Sequence, residues 1–209
     1  MGTEAGIARP PGIRELPIVA GHLALDFANT VDDPLGPERW DHIQDHPNLV
    51  TWGERVGIVP AGAAAALRRA AAADPERAAA AVRDAVALRG ALNDVFGAVV
   101  DGTALDDGWS RLRPFVATAV ARADLSPARP HPAPAWSLTE PGAPLWPVAD
   151  AAYRLLTGPA LARLKRCVAC PWLFLDRSRN GSRRWCSMEF CGTDEKIRRY
   201  VARRAAQRG

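Results

Sequence analysis

The sequence predicts an α+β chain that is mainly helical: a helical N-terminal domain with a small β element, followed by a small cysteine-stapled module. Three observations carry that prediction. The run from Asp74 to Gly102 repeats apolar residues at helical period between an N-cap signal and a glycine stop. All four cysteines, Cys167, Cys170, Cys186 and Cys191, lie in the last fifth of the chain, spaced C-x₂-C-x₁₅-C-x₄-C. The charge is also split: residues 161–209 carry 13 Lys and Arg against 4 Asp and Glu, whereas residues 1–160 carry 14 against 19. At 209 residues the chain has room for one ordinary domain and a small appendage.

Residues 1–17 are rich in Pro and Gly and read as a loose lead-in; 18–160 read as the helical domain and 161–209 as the cysteine module. His22–Asp33 fits two templates, because Leu23, Leu25 and Phe27 alternate as in a strand while Leu23 and Phe27 also suit a helix. Pro47–Val56 reads as a helix with Leu49, Trp52 and Val56 on one face and Gly57 as its stop. Pro60 opens an Ala-rich helix. Asp74-Pro75 starts the longest one, whose stripe is Val82, Val86, Leu88, Leu92, Val95, Phe96 and Val99. Leu105–Ala123 continues the pattern with Trp109, Leu112 and Val116 inward. Seven prolines between Ser126 and Pro147 argue against a central strand and for an edge hairpin around Trp136–Leu138 and Leu145–Trp146. Val148–Leu156 and Pro159–Lys165 read as short helices leading into Cys167.

Two close cysteine pairs supply two halves of a tetrahedral thiolate shell, which points to structural Zn²⁺; disulfides or free thiols are the other reading. Between the pairs, Asn180-Gly181 is a type I′ hairpin signal. A two-residue loop there sets Arg177 opposite Arg184 and gathers Arg177, Arg179 and Arg184 on one face, a like-charge arrangement that an anion relieves. After Cys191, Thr193 reads as an N-cap and Asp194 and Glu195 as first-turn anions. Lys196, Arg199 and Arg203 share the outer face of that helix. Knuckle, hairpin, ligand pair and helix, in this order, make a treble-clef zinc finger, with the metal supplying most of the module's folding free energy.

RCVACPWLFLDRSRNGSRRWCSMEFCG resembles the CGNR zinc finger. HLALDFANTV, the Leu49–Trp52 helix and PVADAAYRLLT resemble the ABATE domain that usually precedes it, so the resemblance covers nearly the whole chain. It implies a stress-induced transcription regulator that binds duplex DNA, with Cys167, Cys170, Cys186 and Cys191 as zinc ligands. Thr193 and Asp194 stand where the family has Asn and Arg; Thr also caps a helix, but Asp for Arg changes the local charge by two units.

The expected nucleic-acid contacts are Arg177, Arg179, Arg183, Arg184, Lys196, Arg199 and Arg203. The arginines also suit a plain solvated surface, or a zinc-stabilised module that meets an acidic protein partner. A third reading gives the N-terminal domain a small-molecule effector without direct DNA contact, and a homodimer fits the same domain. The N-terminus has no signal-peptide core and no run approaches a membrane span, so a cytoplasmic protein without membrane contact is expected. No enzyme is expected: there is no Gly-rich phosphate loop, H-E-x-x-H or G-x-S-x-G sequence. His22 with Asp26 reads as structural, Asp26 and Asn29 as partners for buried backbone groups, and His42 with His46 as no metal pair.

Overall fold

Side-chain caps set several of the helix boundaries in this computed structural model, which describes residues 12–32, 40–127, 131–193 and residue 204. His22 Nδ1 accepts from the Ala24 N–H and opens α1 (Leu23–Ala28), so the ambiguous N-terminal segment is a helix. The chain then extends into β1 (Val31–Asp32), paired antiparallel with β2 (Trp40–Asp41) as the small β element. Asp45 caps α2 (His46–Arg55), and α3 (Ala61–Ala73) follows Pro60. Asp74 accepts from the Arg77 N–H at the start of α4 (Pro75–Asp101), which ends at Gly102 with φ +65°.

Next come α5 (Asp106–Ala121), the antiparallel pair β3 (Asp124–Ser126) and β4 (Ala133–Ala135), and α6 (Leu145–Thr157). The edge hairpin therefore lies earlier than expected, and Leu145-Trp146 starts α6 instead of forming a strand. Pro134 fits β4 because the pair stands at an edge; Trp136 Nε1 donates to the Ala119 carbonyl and ties it to α5. The second short helix before Cys167 is also corrected. It is a 3₁₀ turn (Pro159–Arg163) running into β5 (Leu164–Arg166), which pairs antiparallel with β6 (Leu173–Leu175).

α4 is the spine, packed against α5, α1, α2 and α3. Its buried stripe is Ala81, Ala85, Leu88, Leu92, Val95 and Phe96; Val82, Val86 and Val99 are only half-buried, so small residues occupy much of the inward face. Phe27 meets Trp52 edge-on, ring centroids 4.9 Å apart. The lead-in is not loose over residues 12–17: Ile13 and Leu16 are buried, and Arg55 donates to both their carbonyls. Arg89, wholly buried in α4, holds the Asp41 carboxylate and so fixes β2. Among the described residues no helix is long and apolar enough to cross a membrane.

The cysteine module shares this core. Leu173, Phe174, Leu175, Cys167 and Cys186 belong to the same buried cluster as Phe27, Trp52, Leu92 and Phe96. Asn29 clamps β6 with both ends of its amide, donating to the Leu173 carbonyl (2.9 Å) and accepting its N–H (3.1 Å). The Leu175 N–H donates to the Ala20 carbonyl, and Trp172 Nε1 to the Val31 carbonyl.

Candidate metal centre and basic surface

The β5–β6 pair turns at the first cysteine pair. Cys167 follows β5 directly and its N–H donates to the Trp172 carbonyl, closing the knuckle that carries Cys170. The second pair approaches from the other side: Cys186 is buried, and Cys191 lies in a π-helical turn (Met188–Gly192) capped by the Ser187 hydroxyl. All four sulfurs lie within 4.8 Å of one another. Cys170–Cys186 and Cys186–Cys191 are 3.6 Å apart and Cys191–Cys170 3.5 Å. A disulfide needs about 2.05 Å, so these are free thiols. A tetrahedron with Zn–S bonds of about 2.3 Å needs sulfurs about 3.8 Å apart, which this cluster nearly meets.

The ionisation of the cluster agrees. Hydrogen bonds from Cys170 and Cys186 lower the Cys167 pKa. The contact with Cys167 raises Cys170 and Cys186, and burial raises Cys191. Four thiols this close cannot all ionise until a divalent cation offsets the negative charge; binding one releases protons. Zn²⁺ is the cofactor this donor set suits, and a closed thiolate shell leaves it a structural role.

Beyond β6 the expected two-residue β-hairpin at Asn180-Gly181 is absent. Instead, Asp176, 1% exposed, accepts from the Ser178 N–H and hydroxyl, the Arg183 N–H (2.9 Å) and Lys165 Nζ (2.7 Å). These donors hold its carboxyl well below the ordinary carboxylate range, Lys165 foremost. Lys165 also donates to the Gly181 and Arg183 carbonyls, so its three ammonium protons meet three acceptors. Gly181, at φ +58°, turns the chain tightly against Arg163. The loop is thus wound around a buried carboxylate, and the cross-strand pairing of Arg177 with Arg184 does not form.

The arginines divide accordingly. Arg183 turns inward: it lies over Phe174 (4.8 Å) and donates to the carbonyls of Trp185, Cys186 and Val19. Arg177 is exposed but bonds the Gly21 carbonyl. Arg184 lies over Trp185 and is exposed, as is Arg179. Lys196, Arg199 and Arg203 lie outside the described residues, as do Asp194 and Glu195. The Thr193 hydroxyl donates to the Met188 carbonyl, and Ser187 caps the Met188–Gly192 turn; the helix expected beyond Thr193 lies outside the described residues.

Sequence reasoning missed Lys165, Asp176 and Arg163, which organise the loop. Lys165 had one signal: it is one of only two lysines among 27 basic residues. Asp26 and Asn29 do satisfy backbone groups, Asp26 by accepting from the Ala20 N–H. His42 bonds Asp32 and His46 the Pro141 carbonyl, so they share no site.

Two family models match. The CGNR zinc finger covers residues 163–204. ABATE, described as "Putative stress-induced transcription regulator", covers residues 21–159. Both fall where the sequence motifs placed them, in the same order. No curated protein matches the chain.

Proposed function

Because the chain belongs to the ABATE family and carries a CGNR zinc finger behind that domain, we propose that it is a DNA-binding transcription regulator. Cys167, Cys170, Cys186 and Cys191 hold one Zn²⁺ in this reading, and the finger's arginines meet the phosphate backbone. The observation that carries it is the pairing of Lys165 with the buried Asp176 carboxylate. With Arg163, that pair fixes the Arg177–Arg184 loop and leaves Arg179 and Arg184 exposed on it. Arg183 and Arg177 act as anchors between finger and helical body; Lys196, Arg199 and Arg203, outside the described residues, are candidate contacts from the sequence alone. Zinc does no chemistry here: it fixes geometry, and four thiolates leave no open position for a substrate.

Fluorescence anisotropy of zinc-loaded protein on a labelled duplex tests this. The log-affinity should fall with log salt by about 0.9 per phosphate contact, and Arg179→Ala/Arg184→Ala should flatten the slope by about 1.8. Wild-type protein that fails to bind at low salt, or a double variant with unchanged slope, would remove the DNA reading. A protein partner is the second reading. It is favoured by Val168, Met188 and Phe190, all about half exposed on the finger.

A further inference from the structure

A cleft of about 600 Å³ opens between the first turn of α2, the last turns of α3 and the first turns of α4. Small-molecule sites span about 300–1,000 Å³. Its apolar wall is alanine-rich: Ala71 and Ala72 from α3, Ala78, Ala79 and Val82 from α4. Residues 78, 79 and 82 share one helix face, so their short side chains leave one continuous hollow.

Arg83, Arg68 and His46 are among the polar side chains that line the same space. Arg83 has no hydrogen bond, ion pair or ring contact among the described residues. Arg68 meets Glu54 at 2.5 Å in a half-exposed pair and keeps its remaining donors. His46 is 4% exposed; its Nε2, 3.1 Å from the Pro141 carbonyl, must carry the proton. Its Nδ1 is buried and closed to the cleft, so the ring serves as a neutral wall of the site. Burial lowers the ring's pKa and keeps it neutral at pH 7. Asp45 also lines the cleft, but one of its oxygens caps the Asn48 N–H, and its charge directs an anion toward α4.

We propose that this cleft binds an amphipathic organic acid. Arg83 and Arg68 hold the carboxylate, and an aromatic or aliphatic body lies against Ala72, Ala79 and Val82. The site is an effector pocket in the helical domain. It stands whether or not the finger binds DNA, because its test reads ligand binding directly.

Isothermal titration of the zinc-loaded full chain with 2-naphthoate, 6-hydroxy-2-naphthoate and 2-naphthol as probes decides it. Saturable binding of both carboxylates is expected, with 2-naphthol at least about tenfold weaker. Arg83→Ala should weaken the two carboxylates about tenfold and leave 2-naphthol unchanged. Ala79→Trp fills the cleft from an exposed position, so it should abolish binding of all three while circular dichroism stays native. Absence of saturable carboxylate binding overturns the proposal. So does equal affinity for 2-naphthoate and 2-naphthol, or binding that survives Ala79→Trp.

Discussion

The two halves of the finger are held by different means. The inner half, residues 164–176, lies in the helical domain's own core: Leu173 and Phe174 have no exposed surface, and Asn29, Ala20 and Val31 bond its backbone or Trp172. The outer half, residues 177–193, has Arg179, Met188, Glu189 and Phe190 at the surface and is tied inward by Cys186, Cys191, Arg183 and the Asp176 carboxylate. Apolar packing fixes one half; the cysteine cluster and polar anchors fix the other. The expectation that zinc supplies most of the module's folding free energy therefore applies to the outer half alone.

Chelation should separate them most sharply. With zinc removed under reducing conditions, amides at 186–193 should lose hydrogen-exchange protection, while those of Leu173 and Leu175 keep it. Cys186→Ser should do the same and lower bound zinc well below one equivalent. Simultaneous loss of protection in both halves would erase the distinction.

How much of this was legible in the sequence follows the same line. Cysteine spacing reports ligand geometry directly, and capping residues such as Asp45 and Asp74 act within three or four residues, so both were readable. The Asn180-Gly181 signal was local too, but a long-range competitor overrode it. Lys165, eleven residues before Asp176, draws that carboxylate into the centre of the loop, and the loop wraps around it instead of pairing as strands. Asn29 and Leu173 are 144 positions apart, and no period or spacing reveals an amide that completes a distant strand. The sequence stripe of α4 overweighted valines, because large apolar residues draw attention while Ala81, Ala85 and Ala91 are the ones buried.

The clamp itself gives the next largest effect. Asn29→Ala leaves the Leu173 N–H and C=O buried without partners, a cost of about 2 kcal/mol. Since β6 belongs to the common core, the loss should appear in the global urea transition of zinc-loaded protein, with m unchanged. A variant that only loosens the outer half, at unaltered global stability, would show that the seam is not part of the core.

Asp26 gives the smallest effect and tests the same seam from the helical side. Its carboxylate accepts from the Ala20 N–H, and the Ala20 carbonyl in turn accepts from Leu175. Burial raises its pKa to about 6, against the opposing pull of backbone donors and Arg177. The folded state then binds this proton more tightly than the unfolded chain, so the group favours folding more as pH falls through 6 toward 4 and loses that contribution as pH rises through 6. Between pH 7 and pH 5 the gain is about 1 kcal/mol. Asp26→Asn keeps the acceptor oxygen and removes the titration. The difference between wild-type and variant unfolding free energies should therefore change by that amount across the interval. A difference independent of pH would mean that water reaches the carboxylate, and that the seam between α1 and β6 is open where the structure closes it.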